Sequence, residues 1–315
     1  MDLYLIIVII MLALAVSGLV VGVANDAVNF LNSALGSKAA PRYVIMTVAS
    51  VGIIVGAITS NGMMEVARSG VFHPEMFTFA EVMLLFLAVM FTNVILLDIF
   101  NTLGMPTSTT VSLVFGLLGA AVGISIFKIA NDALVTLPDG SLATMADMIN
   151  TGNAMAIIGG ILISVVIAFV CGTVVMYITR LIFSFRYQSK LKSYGAVWCG
   201  IALTAISYFA VFKGLKGTQV IPADWMSWME GHIPMMLGGL LVGWSLIMSI
   251  LSMLKVNILR ITVLAGTFSL ALAFAGNDLV NFIGVFVAGV DAYDIVRTTG
   301  DTNMLMGGLN DPVVA

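Results

Sequence analysis

The chain has 315 residues, of which 60% are apolar and only 9% are charged, and its mean hydropathy is +1.11. A soluble domain carries roughly 25% charged residues, so the composition excludes an ordinary soluble protein and indicates a bilayer as the solvent. The net charge of −3 gives no support to nucleic-acid binding. Two cysteines and two histidines in the whole chain indicate neither a disulfide framework nor a metal motif, and no nucleophile–base pair points to an enzyme.

Apolar runs, several of them with eighteen or more residues and no charge, are long enough to cross a hydrocarbon core of about 30 Å and predict an all-α integral membrane protein. The spans lie near residues 3–23, 43–60, 80–100, 107–127, 154–179, 196–212, 235–254 and 258–275, with a further apolar segment at 279–290. Connections on one side carry eight Lys or Arg residues and those on the other side four. The positive-inside rule therefore predicts an N-terminus outside a cell (inner or plasma) membrane.

A polar hexapeptide occurs twice in this apolar chain. "NDAVNF" at 25–30 and "NDLVNF" at 277–282 agree at five of six positions. We expect each copy to end a span, and the two spans run in opposite directions. This arrangement is typical of inverted-repeat secondary transporters, whose broken helices bind substrate and ions near the bilayer midplane. The predicted domains are a first repeat at 1–127, connecting helices and loops at 128–257, and the start of a second repeat at 258–315.

Asp26 is the first residue that needs an explanation, because a carboxylate deep in a bilayer costs at least about 2.5–3.5 kcal/mol. Asp26 and Asn29 are three residues apart and share one face of a helix, with Asn25 beside them. Carboxylate and amide oxygens suit a hard cation such as Na⁺, and a carboxylate can also carry a proton. The alternative is that this segment is the interfacial end of the first span, with Asp26 in water.

The second polar stretch is "NTLGMPTSTTVSLVFG" at 101–116. Gly104 and Pro106 predict a helix break, with Pro106 in the first turn of the next helix. Four hydroxyl residues follow: Thr107, Ser108, Thr109 and Thr110. A helix N-terminus with added hydroxyl donors favours an anion, whereas an ordinary capped loop between two spans is the alternative. Because the first four spans carry no Lys or Arg away from their ends, an anion bound there would need a co-bound cation.

A third stretch, "SNGMMEVARSGVF" at 60–72, places Glu65 and Arg68 three residues apart. An interfacial ion pair is the simplest interpretation, and a contribution of Glu65 to a site is the other.

These stretches together resemble the inorganic phosphate transporter (PiT, or Pho4) family. "GVANDAVNFLNSALGSKAAP" and "AFAGNDLVNFIG" are similar to the two copies of the family signature. "GMPTSTTVSLVFGLLGAAVG" resembles the family's P-x-S-T-T-H-x-x-x-G stretch, and "MEVARSGVF" resembles its Glu-containing stretch. Between about 130 and 260 the chain is recognisable only as helices.

The resemblance implies symport of inorganic phosphate with Na⁺, or with H⁺, by a membrane-embedded homodimer surrounded by lipid, with no other cofactor. The implied phosphate-binding residues are Asn25, Thr107, Ser108, Thr109, Thr110 and Asn277. The implied cation-binding residues are Asp26, Asn29, Asp278, Asn281 and Glu65, with Na⁺ at the first four.

The sequence departs from the family pattern in three ways. Val111 stands where the family has a histidine, which favours Na⁺ over H⁺, and Phe30 replaces a small alanine. The repeat offset places the partner of the hydroxyl run beyond residue 315, so we expect a truncated second repeat and a fragment of a longer polypeptide. A sulfate carrier of the same family, and a passive channel or interaction subunit, are the alternative functions.

Overall fold

The computed structural model describes residues 2–59, 70–137, 140–183, 187–215 and 222–310. Within these residues the chain is almost entirely helical. The α-helices are Asp2–Gly36 (α1), Arg42–Thr59 (α2), Phe79–Thr102 (α3), Thr109–Ala130 (α4), Met145–Met148 (α5), Thr151–Ile182 (α6), Tyr187–Phe209 (α7), Ala223–Gly231 (α8), Ile233–Met253 (α9), Ile258–Asn277 (α10) and Leu279–Thr299 (α11). Eight helical stretches among the described residues are long and apolar enough to cross a membrane, so the predicted all-α membrane fold is confirmed.

The chain folds as two compact units. The first contains the described residues within 1–26, 62–163 and 278–315, and the second contains those within 27–61 and 164–277. This division follows packing and does not test the predicted repeat boundaries.

In the first unit, α3 and α4 form an antiparallel helical hairpin with α11 packed against α3. The Ser112 hydroxyl donates to Asn93 Oδ1 at 2.6 Å near the turn of this hairpin. At the far end, Lys128 Nζ lies 2.8 Å from Glu81 Oε2 and 3.0 Å from the Met76 carbonyl oxygen. Glu81 also completes a capping box with Thr78 at the start of α3. The Glu81 carboxylate therefore caps the start of α3 and also neutralises the buried Lys128 at the end of α4.

Extended segments beside this ion pair close that end of the first unit. Isolated antiparallel bridges join Phe72 to Ile149 and Thr78 to Leu305. The aromatic rings packed there are fully buried: Phe72, Phe77, Phe79 and Phe86. Burial of such rings is the main stabilising term available outside the lipid-facing surfaces.

In the second unit, glycines allow helices to approach closely. α2 packs along α10 at Gly52 and Gly56, where a Cβ atom would collide with the backbone carbonyl groups of Phe268 and Leu272. α7 packs along α9 at Gly200, which faces Ser245. Small residues are what bring helices together inside a bilayer, because lipid removes the hydrophobic driving force between them.

The structure corrects the sequence prediction at three places. α1 does not end at its polar segment but continues to Gly36, because polarity ends an apolar run without ending a helix. α7 begins at Tyr187 rather than near residue 196, since its first turns are polar. Pro106 precedes the N-cap residue Ser108 and so lies outside the first turn of α4. The predicted helix break itself is confirmed between Thr102 and Thr109, and α10 ends at Asn277, two residues beyond the predicted span.

The glycine contacts predict a stability difference between two alanine variants. Gly56→Ala should destabilise the protein by about 1–3 kcal/mol, because the new methyl group would press on the Leu272 carbonyl oxygen and lie 2.7 Å from the Ala275 Cβ atom. Gly238→Ala in α9 is the control, since nothing lies within 4 Å of its Cβ position. Thermal unfolding in detergent measures both; equal unfolding midpoints for the two variants would contradict this account of the packing.

Candidate functional site

Two helix N-termini meet in the first unit. α4 begins at Thr109 after the N-cap residue Ser108, whose hydroxyl accepts from the Val111 N–H at 3.3 Å. α11 begins at Leu279 after Asp278. The Thr110 hydroxyl donates to Asp278 Oδ1 at 3.3 Å and joins the two helix starts. Each start carries the positive end of a helix dipole, so together they favour negative charge.

Asn281 completes this connection. Its Nδ2 donates to the Thr110 hydroxyl at 2.8 Å and lies 3.4 Å from Asp278 Oδ1 and 3.5 Å from the Thr109 hydroxyl. Asn281 and Thr109 are each only 2% exposed. Since Thr110 accepts from the amide, its own hydrogen is directed to the carboxylate. The result is a chain of donors that ends on Asp278 Oδ1.

Asp26 adds a second carboxylate to the first unit. It is 5% exposed and lies close enough to Asp278 for the two groups to interact electrostatically. Two ionised carboxylates repel each other, and the repulsion is roughly 4 kcal/mol for any pair about 4 Å apart at an effective dielectric constant of about 20. A bound cation removes that repulsion.

The described positive side chains of the first unit are distant from this cluster. The described Lys and Arg residues of the first unit are Lys128 and Arg297. Lys128 is 18 residues along α4 from Thr110, about 27 Å at 1.5 Å per residue, and it is paired with Glu81. Arg297 is in the last turn of α11. No lysine or arginine of the described first unit therefore neutralises Asp26 or Asp278.

The turn between α3 and α4 is held by two asparagines. Asn25 Nδ2 donates to Asn101 Oδ1 at 2.7 Å and to the Met105 carbonyl oxygen at 3.1 Å. Asn25 Oδ1 accepts from the Thr107 N–H at 2.9 Å. Asn101 Nδ2 in turn donates to the Val21 carbonyl oxygen at 2.8 Å. These bonds satisfy backbone groups that the interrupted helix leaves open and fix the position of the α4 start relative to α1.

The first unit contains most of the residues predicted for the site: Asn25, Asp26, Thr107, Ser108, Thr109, Thr110, Asp278 and Asn281. Its contacts join Thr109, Thr110, Asp278 and Asn281 in one cluster and Asn25 with Thr107 in another. Asn29, an exposed residue of α1, and Asn277, the last residue of α10, belong to the second unit. Glu65 lies outside the described residues. The roles assigned to all these residues stay predictions.

Sequence reasoning missed Asn101 and the Asn93–Ser112 pair. Both asparagines interrupt an otherwise apolar run that ends at Thr102, and polar residues within a span are usually functional or paired. The polar residues themselves could have been noticed in the sequence. Their hydrogen-bond partners could not have been predicted, because these partners are distant in sequence.

The donor set of the cluster decides which ions it fits. In the part of the chain that the structure describes, no three His, Cys, Asp or Glu residues come together as a metal site. The cluster offers carboxylate, hydroxyl and amide oxygens, which suit hard cations such as Na⁺ rather than transition metals.

Comparison with known proteins identifies the family and the fold. Residues 22–309 match the model of the PHO4 phosphate transporter family. The chain is 25% identical over 200 residues to a protein of Thermococcus kodakarensis named "Putative phosphate permease TK2061", a match that covers 62% of this chain and 45% of that relative's length. A solved structure, the sodium-dependent phosphate transporter, shares the fold with a TM-score of 0.62 and 19% identity, covering 98% of this chain and 72% of that one.

The contacts of Asn25 predict how its removal changes the α3–α4 turn. In Asn25→Ala the Thr107 N–H loses its acceptor, so we expect amide hydrogen exchange in residues 103–108 to accelerate by about tenfold, corresponding to the roughly 1–1.5 kcal/mol of one hydrogen bond. Asn131→Ala is the control, because Asn131 bonds only within its own helix end, to the Phe127 carbonyl oxygen. Unchanged amide exchange in Asn25→Ala would show that Asn25 does not stabilise the turn.

Proposed function

Because the chain belongs to the phosphate transporter family, we propose that it carries inorganic phosphate across the cell membrane by symport with a cation, most simply Na⁺. The observation that carries this proposal is the Thr110–Asp278–Asn281 network at two helix N-termini, with no lysine or arginine beside it among the described residues of the first unit. The names of the two related proteins, a phosphate permease and a sodium-dependent phosphate transporter, support the same substrate and ion.

The proposed phosphate ligands are neutral donors. Helix N-termini bind phosphate because their first N–H groups lack intrahelical partners. Thr107, Ser108, Thr109 and Thr110 add hydroxyl groups at the start of α4, and Asn25 and Asn277 are the proposed amide ligands. Since Asn25 already bonds to Asn101, Met105 and Thr107, its contribution includes holding the phosphate-binding turn in place.

The proposed Na⁺ ligands are Asp26, Asn29, Asp278 and Asn281, with Glu65 as a further cation ligand. A phosphate dianion next to two carboxylates would be repelled by several kcal/mol per pair. Bound Na⁺ converts this repulsion into attraction, so phosphate binds well only when the cation is present. That dependence is the physical origin of coupling.

Transport follows by alternating access, in which the site opens to one side of the membrane at a time. Na⁺ and phosphate cross together, because neither the phosphate charge nor the carboxylate charges of the site are stable without a counter-charge in a low-dielectric interior. The N-terminus outside the cell membrane and the homodimer remain predictions from the charge distribution and from family resemblance.

Uptake of radiolabelled phosphate by proteoliposomes tests the proposal, using the reading frame that contains this chain. An imposed Na⁺ gradient should drive uptake, a proton gradient alone should not, and excess unlabelled sulfate should leave uptake unchanged. Suppression by sulfate would transfer the assignment to a sulfate carrier. Phosphate flux that ignores both gradients would identify a passive channel, and absence of flux in folded protein would overturn the transport proposal.

Asp278 gives the sharpest variant. Asp278→Asn keeps an acceptor for Thr110 but removes the charge, so we expect the half-saturating Na⁺ concentration to rise at least about tenfold, since hydrogen bonds and contacts to a charged group are worth more than about 1.4 kcal/mol. Na⁺-driven uptake should fall with it. Asp294→Asn is the matched control on the same helix, because Asp294 is 62% exposed and lies 4.0 Å from Arg297. Equal Na⁺ dependence in both variants would remove Asp278 from the cation site.

A further inference from the structure

A polar cleft of about 410 Å³ lies in the second unit, apart from the residues discussed above. The first two turns of α7 form one wall, and the turn between α9 and α10 forms the other. Its polar lining includes Gln188, Lys192, Ser252, Lys255 and Asn257, together with Tyr187. The cleft therefore brings together two lysines from different helices with side chains that can donate hydrogen bonds.

The second unit offers the two lysines few acidic partners. Between residues 164 and 277 the sequence contains only two acidic residues, Asp224 and Glu230. Both are in α8, which follows the opposite end of α7. Among the described residues neither Lys192 nor Lys255 forms an ion pair. The cleft consequently carries a net positive charge and favours an anion.

The position of the cleft indicates the source of that anion. Candidate membrane spans begin at Tyr187 and Ile258 and end at Met253, so the cleft lies where helices pass from hydrocarbon to water. Leu191, Val256 and Leu259 line it beside the lysines. Inorganic phosphate offers nothing to these apolar side chains, whereas a phospholipid presents a phosphate joined to glycerol and acyl carbons.

An apolar groove on the other side of α7 also favours a phospholipid over a free anion. The groove runs between the end of α6 and α7, and Leu181, Val197 and Ile201 are among its lining residues. Lys190 also lines it, with its Nζ 5.9 Å from the centre of the Tyr194 ring. On each of two sides, the start of α7 thus presents a lysine beside apolar side chains. This arrangement is complementary to an anionic lipid, which joins a negatively charged headgroup to apolar chains.

We propose that the cleft between α7 and the α9–α10 turn binds the phosphodiester headgroup of an anionic phospholipid, with Lys192 and Lys255 supplying the charge. Gln188 and Asn257 provide hydrogen-bonding groups for the phosphate or glycerol oxygens. The predicted orientation places this cleft on the cytoplasmic side, where anionic lipids attract basic residues. This binding is independent of the phosphate transport proposed above, and its test does not use transport.

The backbone at Lys255 makes a clean test possible. Lys255 follows α9 with φ of +62°, and the Val256 and Lys255 N–H groups bond to the carbonyl oxygens of Leu251 and Ser252. This is the helix-ending arrangement in which glycine is the favoured residue. Lys38 follows α1 in the same way, with φ of +51° and equivalent bonds to Leu35 and Ala34. Replacing either lysine by glycine removes one charge and relieves the backbone, so both variants should fold.

The measurement is the affinity of the purified protein for phosphatidylglycerol, determined by native mass spectrometry, with phosphatidylcholine as the neutral lipid. We expect Lys255→Gly to weaken phosphatidylglycerol binding about fivefold and Lys192→Gln combined with Lys255→Gly to weaken it about 30-fold. Lys38→Gly should bind as the unchanged chain does. Replacement of both cleft lysines by arginine should retain binding, because arginine keeps the charge.

Three outcomes would overturn the proposal. Equal phosphatidylglycerol affinity in Lys255→Gly and Lys38→Gly would show that the cleft is not the binding site. Equal affinity for phosphatidylcholine would remove the role of the anionic charge. Displacement of phosphatidylglycerol by millimolar inorganic phosphate would assign the cleft to a free anion instead of a lipid. Thermal unfolding midpoints at or above that of the unchanged chain confirm that both glycine variants are folded.

Discussion

Two helices that begin side by side present the same dipole end to one another, and this repulsion is the constraint on which the first unit depends. α4 and α11 meet at Thr110 and Asp278. Asp278 reduces the repulsion, since a carboxylate at a helix start is stabilised by the dipole. Asn281 then orients the hydroxyl toward the carboxylate. The cluster is thus held by charges and hydrogen bonds that a bound ion pair can also use.

The same constraint explains why asparagine is used to brace the turn before α4. A side-chain amide is both donor and acceptor, so Asn25 can satisfy a carbonyl group at Met105 and an N–H group at Thr107 at once. A carboxylate could not donate to Met105, and an apolar residue could satisfy neither. The buried amide of Asn25 therefore fixes the start of α4, and with it the direction of the dipole that meets α11.

Much of this arrangement could be predicted from the sequence, because polar residues are conspicuous in an apolar chain. The break near Gly104 and Pro106, the hydroxyl run, and Asn25, Asp26 and Asp278 of the repeated Asn-Asp pair all marked residues that belong to the first unit. The ends of the helices were harder to predict from the sequence. Hydropathy ended the first span near residue 23, but Phe30, Leu31 and Ala34 are buried at helical spacing, so α1 continues for another 13 residues.

Pairing between distant residues could not be predicted from composition or spacing. Lys128 is at the end of an apolar helix, where a lysine is usually solvated, yet its side chain is only 2% exposed and is paired with Glu81, 47 residues away. Asn101 likewise bonds to Val21, 80 residues earlier. Such pairs form only between helices that become neighbours in the fold. Which helices become neighbours depends on packing, and the sequence around each residue does not reveal it.

The proposal of Na⁺ as the coupling ion rests on the side chains that the cluster offers. Position 111 carries a valine, whose N–H bonds to the Ser108 hydroxyl, so no imidazole at that position can accept a proton. A proton can neutralise Asp278 through Oδ2 while Thr110 still donates to Oδ1, but it occupies a single oxygen. A Na⁺ ion binds the lone pairs of several oxygens at once, and the carboxylate, hydroxyl and amide groups of the cluster can supply them. In the proposed symport, the bound Na⁺ offsets the repulsion between the two carboxylates and the phosphate, because the described lysine and arginine of the first unit, Lys128 and Arg297, lie at the far ends of their helices.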